Sequence, residues 1–189
     1  MKKMTLVILV VTLIASFGFA QDQNLDVSAT VGITALSYTS NTDIQIGDVT
    51  KSTTATVDPL SGAAHANVGG TTLAGNIAIS GEEGATVTVA FDATAVLGNA
   101  TENMTFTPDV VGHITTQPSA ATSLTSGVST VDLSGTAGGG GTGTYNFWIG
   151  GDLVVGAAQS PGAYSTATGN GSGTGGNGGG AWSMTLVYQ

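Results

Sequence analysis

The sequence predicts an all-β domain, a sandwich or barrel of short strands, and three observations carry that prediction. Apolar residues alternate with polar ones at a period of two, not at the helical period of about 3.6. Thr, Val, Ala, Ser and Gly dominate beyond the first twenty residues, and no window of a dozen residues there keeps an apolar helical stripe. Asn, Gly, Asp or Pro separates most of the alternating stretches, as at Asp58-Pro59, Gly98-Asn99, Pro118 and Gly135.

The elements follow in order. Lys2 and Lys3 precede an apolar run that ends in small residues, with Gly18 and Ala20 at the −3 and −1 positions of a cleavage site. This is the pattern of a signal peptide over residues 1–20. Thr5, Thr12 and Ser16 within the run, and the lack of a basic flank after it, argue against a membrane anchor. Residues 21–189 then form a single domain. Its first strand is predicted over 25–35, where Leu25, Val27, Ala29, Val31 and Ile33 alternate with Asp26, Ser28, Thr30 and Gly32. Further strands are predicted at 43–49, 53–57, 71–80, 85–92, 104–108, 128–133, 144–149 and 183–189. In the last of these Met184, Leu186 and Tyr188 continue a face begun by Trp182, as in a half-buried strand. Two tracts are low in complexity. Residues 136–143 read as a flexible turn, and 169–180 as a glycine-rich loop with no Lys to make it a phosphate cradle.

Composition removes most kinds of chemistry. The chain has 189 residues, 3 Lys+Arg against 12 Asp+Glu, 2 His, 30 Gly and no Cys, with a formal charge of −9. Loss of residues 1–20 leaves Lys51 alone against all twelve acids, a net charge of −11. Such a surface repels a phosphate backbone, so nucleic acid is excluded as a partner. There is no thiol for a nucleophile, disulfide or metal site. His65 and His113 have no second His at metal-binding spacing, and no G-x-S-x-G marks a nucleophilic serine. The one acidic doublet, Glu82-Glu83, lies between two predicted strands and reads as a solvated turn, while Asp92, Glu102, Asp109, Asp132 and Asp152 are scattered. No catalytic, cofactor-binding or metal-ligating residue is assigned, and the chain is predicted not to be an enzyme. The aromatic residues admit two readings. Trp148 and Trp182 are the candidate ligand contacts of a carbohydrate-binding surface, or Phe147, Ile149, Trp182 and Leu186 fill a core otherwise built from small residues.

Several motifs occur in an order that resembles a known family. FWIGGDLVVGAAQSPGAYS (147–165) and the terminal MTLVYQ (184–189) are similar to the end of the secreted bacterial domain of unknown function 4402. That family closes with a glycine, a short strand, a Q-x-x-G-x-Y turn and a strand ending in tyrosine, here Gly150-Gly151, residues 153–155, Gln159 to Tyr164, and Tyr188. IQIGDV (44–49), TVDPLSGA (56–63) and AISGEEGATVTVAFD (78–92) resemble its earlier segments. The sequence departs from the family where residues 165–181 separate the turn from the last strand.

The family in turn resembles, more distantly, the pilin and spore-coat-U-type domains of chaperone-usher fimbriae. That likeness implies an immunoglobulin-like, pilin-like antiparallel β-sandwich whose N-terminal extension completes the sheet of a neighbouring subunit. Leu25, Val27, Ala29, Val31 and Ile33 stand where such a subunit-interaction strand would begin; the other reading is an ordinary first strand paired within its own domain. The disulfide common in classical pilins is absent. The expectation is a secreted, non-enzymatic structural subunit of a cell-surface filament or fimbria-like assembly. It reaches the surface through the periplasm, takes no cofactor, makes no stable membrane insertion after cleavage, and partners copies of itself or related surface subunits. The alternative is a secreted carbohydrate-binding adhesin module.

Overall fold

The computed structural model describes residues 32, 34–60, 65–99, 102–116, 121–166 and 182–189. Contacts divide the chain between Gly32 and Ile33, and the following description is of the unit Ile33–Gln189. The predicted signal peptide, the five alternating residues from Leu25 to Ile33 and the glycine tract 169–180 lie outside the described residues.

Twelve strands are present among the described residues: β1 (Ser37–Thr42), β2 (Asp48–Val49), β3 (Thr53–Val57), β4 (Val68–Gly69), β5 (Gly75–Glu82), β6 (Thr86–Phe91), β7 (Ala95–Gly98), β8 (Asn103–His113), β9 (Thr122–Leu124), β10 (Gly127–Asp132), β11 (Thr142–Val155) and β12 (Met184–Tyr188). All pair antiparallel. The large sheet runs β1-β5-β11-β8-β7, with β3 added to β11 and β9 to β8. A smaller sheet runs β10-β6-β12, and β2 with β4 forms a two-stranded ribbon. The all-β antiparallel sandwich is thus as predicted.

Strand β11 is the spine. Thr142 to Ile149 pairs with β5, and Gly151 to Val155 pairs with β3 along the same edge. The opposite edge holds β8 from Asn146 to Leu153. The change of neighbour falls on Gly150-Gly151. A Cβ on Gly150 would run into the carbonyl oxygen of Val57 and into Pro59, and Gly151 has φ +141°, a conformation closed to most side chains.

Alternation places the core. In β6, Val87, Val89 and Phe91 are buried while Thr86, Thr88 and Ala90 face outward. They pack with Val131, Leu133, Ile79, Val110, Tyr145, Phe147 and Ile149 in one cluster that joins both sheets. A second cluster holds Ala55, Ala95, Met104, Phe106, Leu153 and Val155. Ile149 and Leu153 lie in different clusters, one on each side of the Gly150-Gly151 switch.

Several boundaries differ from expectation for local reasons. β8 and β11 are longer than predicted, because buried neighbours on both edges carry them past Pro108 and through the glycine pair. Of the strand predicted over 43–49 only Asp48–Val49 forms, since Gly47 has φ +75° and turns the chain. Thr34 and Ala35, the end of the predicted first strand, belong to no strand; β1 begins at Ser37 and is exposed throughout, so its SYTSNT sequence carries no alternation. Phe147 is fully buried at the centre of the first cluster. Phe147→Ala is expected to cost about 3–5 kcal/mol, read as a lower urea midpoint at unchanged slope.

Candidate functional site

Where the two core clusters meet, the described residues leave a groove. This groove of about 1320 Å³ runs along the free side of β1 and the chain that follows it. That is larger than the roughly 300–1,000 Å³ of a small-molecule pocket. One bank is Tyr38, Ile44 and Ile46; the isoleucines are half-buried and alternate with exposed Asp43, Gln45 and Gly47. The other bank is Tyr164, Trp182 and Met184. Ile77 and Ile149 floor one part, and Leu97, Met104, Phe106 and Leu153 the rest. Both banks carry a strand edge with no strand partner among the described residues. β1 pairs only with β5, and β12 only with β6. The Tyr38 hydroxyl crosses between them to donate to the Met184 carbonyl at 3.2 Å.

Three clasps set the banks. Trp182 packs against Phe91 with ring centroids 5.8 Å apart and donates its indole N–H to the Asp92 carbonyl at 2.8 Å. Ser183 donates its N–H and hydroxyl to the Asp92 carboxylate, which fixes the entry to β12. The second clasp is Glu102, which accepts the Ser160 N–H at 2.6 Å, the Ser160 hydroxyl at 2.9 Å and the Tyr164 hydroxyl at 2.8 Å. The Ser160 N–H, then the two hydroxyls, hold the Glu102 carboxyl below the usual range; burial and then Glu102 push the Tyr164 phenol up. Thus Q-x-x-G-x-Y is a turn closed on one carboxylate, with Gln159 adding a bond to the Asn103 carbonyl at 3.0 Å.

The third clasp joins both ends of the domain. The Tyr188 hydroxyl accepts the Glu82 N–H at 2.6 Å and donates to the Thr34 carbonyl at 2.7 Å. The Thr34 N–H in turn reaches Glu82 Oε2 at 2.8 Å and lowers that carboxyl's pKa. Gly81 is required beside it, since a Cβ there would collide with the Tyr188 hydroxyl.

The two candidate tryptophans are not brought together. Trp182 lines the groove and packs on both core clusters. Trp148 is half-buried on the outer face of the large sheet, in register with Asn76 and Val111. Leu25, Val27, Ala29, Val31 and Ile33 lie outside the described residues. Glu82 ends β5 and Glu83 stands in the turn to β6, both partly exposed as expected, and both also accept hydrogen bonds: Glu82 from the Thr34 N–H and Glu83 from the Thr136 N–H at 2.9 Å. The tract 136–143 packs round Glu83, whose carboxylate would have to shift for a Cβ on Gly139 or Gly141. His65 accepts the Asp58 N–H at 3.1 Å, and His113 pairs with Thr115. Asp109 stands near Asp58 and Asp152, and burial, then those two charges, raise its pKa. Sequence reasoning missed Tyr38, Leu97 and Phe106 as groove residues, because only the fold brings them together. What the groove offers is apolar surface and strand edges unpaired among the described residues.

Residues 34–170 match the family model of Domain of unknown function (DUF4402), and the chain belongs to that family. No curated protein and no solved structure matches the chain.

Tyr188→Phe leaves the Glu82 N–H and the Thr34 carbonyl without their shared hydroxyl, and is expected to cost about 1–3 kcal/mol in denaturant unfolding. Because folding lowers the Glu82 pKa, its contribution is complete above the unfolded value of roughly 4.3 and is lost as pH falls through the folded value. Glu82→Gln is therefore expected to lower stability near neutral pH and to converge on the parent protein in acid, measured by unfolding across that range.

Proposed function

We propose that this DUF4402 protein is an exported, non-enzymatic structural subunit of a cell-surface filament or fimbria-like assembly, and that its subunits associate by β-strand addition. The observation that carries this reading is the groove, an apolar trough whose two banks each carry a strand edge that is unpaired among the described residues. An open edge is a template for another strand, and soluble proteins commonly blunt it with Lys, Pro or a covering loop. β1 has neither Lys nor Pro and is exposed along its length.

Charge supports the same reading. With Lys51 the sole cation beyond residue 20, copies of the chain repel one another. Association must then come from backbone pairing and apolar burial, which have no need of opposite charges. The signal sequence over 1–20 supplies export, and the likeness to pilin domains supports a fibre-forming role. A secreted carbohydrate-binding module is the second reading. It is favoured by Trp148, half-buried on the outer sheet face, where an indole can stack on a sugar ring.

Removal of residues 21–33 tests the first reading. The mature protein is expected to assemble in light scattering, more so in high salt, where the screening length falls from about 30 Å at 0.01 M to about 3 Å at 1 M. The truncated protein is expected to stay monomeric at both. Unchanged assembly after truncation contradicts strand addition.

A further inference from the structure

We propose that the outer edge of β10 pairs antiparallel with the β10 edge of a second copy, about a two-fold axis through Thr130. The contact lies apart from the groove and is made wholly of described residues.

Elimination singles out this edge. β1 and β12 flank the groove. The outer edge of β7 is bridged by Ser165 at Gly98, and that of β3 by Ala66 at Thr56. β2, β4 and β9 have three residues or fewer. β10 has six, pairs only with β6 among the described residues, and carries neither Lys nor Pro to blunt it.

Backbone direction then fixes the register. The Leu133 N–H donates to the Ala85 carbonyl at 2.9 Å. Amide directions alternate along a strand, so Val131 and Ser129 also turn theirs toward β6, and Val128, Thr130 and Asp132 turn theirs to the open edge. A two-fold axis at Thr130 sets that residue opposite its own copy and Val128 opposite Asp132. Every outward N–H then meets a carbonyl. Opposed residues of an antiparallel pair share a face, so the exposed side chains of Val128, Thr130 and Asp132 stay outside and Val131 stays in the core. Val128, 75% exposed, gains cover at the seam.

Charge permits a second copy here. Across β10 and the outward residues of β6 and β12 beside it, Thr86, Thr88, Ala90, Thr185 and Val187, the sole charged side chain is Asp132. Its carboxylate accepts the Thr86 hydroxyl at 2.7 Å. The two Asp132 residues fall on opposite sides of the axis, about 14 Å apart along the strands. That exceeds the screening length of about 8 Å at physiological salt. Copies that repel elsewhere therefore meet here with little opposition. One strand edge buries far less than the roughly 1,200–2,000 Å² of a stable interface, so a single contact does not hold free subunits as a dimer. Subunits strung along two filaments repeat it, and repetition makes it hold. That last step rests on the filament reading above, and the contact is a lateral one between filaments.

The chain has no cysteine, so an introduced thiol reports this contact without interference. Thr130→Cys in the mature protein brings two thiols together at the axis. Paired Cα atoms stand about 5.5 Å apart there, within the roughly 4.4–6.8 Å that a disulfide spans. Under mild oxidation T130C is expected to give a covalent dimer well ahead of Val154→Cys, an exposed site on β11. The lead is expected to grow in high salt. It is expected to be lost in V128P/T130C, where proline removes an N–H that β6 does not use. Equal dimer from T130C and V154C overturns the proposal, as does a T130C dimer that V128P leaves unchanged. Light scattering on the same samples separates the two readings. Assembly without a T130C lead contradicts β10 pairing alone, and a T130C lead without assembly contradicts the filament alone.

Discussion

The Gly150-Gly151 switch in β11 is the constraint on which the rest of the structure depends. One fourteen-residue strand serves two neighbours in succession on one edge, β5 and then β3. It does so only because the backbone of Val57 and Pro59 approaches where a side chain would stand. The switch splits the interior into two clusters, and the groove lies along their junction, floored by Ile149 from one and Leu153 from the other. A substitution at Gly150 would thus act on the groove as well as on the sheet.

A second constraint follows from charge. A chain with one cation beyond its first twenty residues cannot neutralise its acids by ion pairs. Its carboxylates accept from backbone N–H groups and hydroxyls instead. Glu82 holds Thr34, Glu83 holds Thr136, Asp92 holds Ser183, Glu102 holds Ser160 and Tyr164, Asp132 holds Thr86, and Asp152 holds Thr56. The acids thereby act as fasteners at strand ends and turns, and several of them shape the groove's surroundings. Charged acceptors make stronger hydrogen bonds than neutral ones, which suits a domain with no disulfide.

How much of this was legible depends on whether the signal was local. Strands with one buried face announced themselves: β3, β6 and β12 fall within a residue or two of their alternating stretches. β1, β7 and β9 left little trace, because an exposed SYTSNT edge or a three-residue TSL strand is fixed by its neighbours and not by its own pattern. The Q-x-x-G-x-Y turn was visible as a motif, yet its partner Glu102 lies 58 residues before Ser160 and looked like one scattered acid. The groove was invisible for the same reason. Its apolar walls come from Tyr38, Ile44, Phe106 and Trp182, distant in sequence and each unremarkable alone. Trp182 admitted two readings in the sequence, core residue or ligand contact; in the structure it packs on both clusters and lines the groove.

The central claim is that a strand from a neighbouring copy closes the groove. Amide hydrogen exchange on the assembled mature protein, compared with the protein lacking residues 21–33, tests it most directly. The account predicts that amides of β1 and of Trp182 to Met184 are protected in the assembly and exchange freely after truncation, while those of β11 are slow in both. Equal exchange of β1 in the two proteins would contradict it.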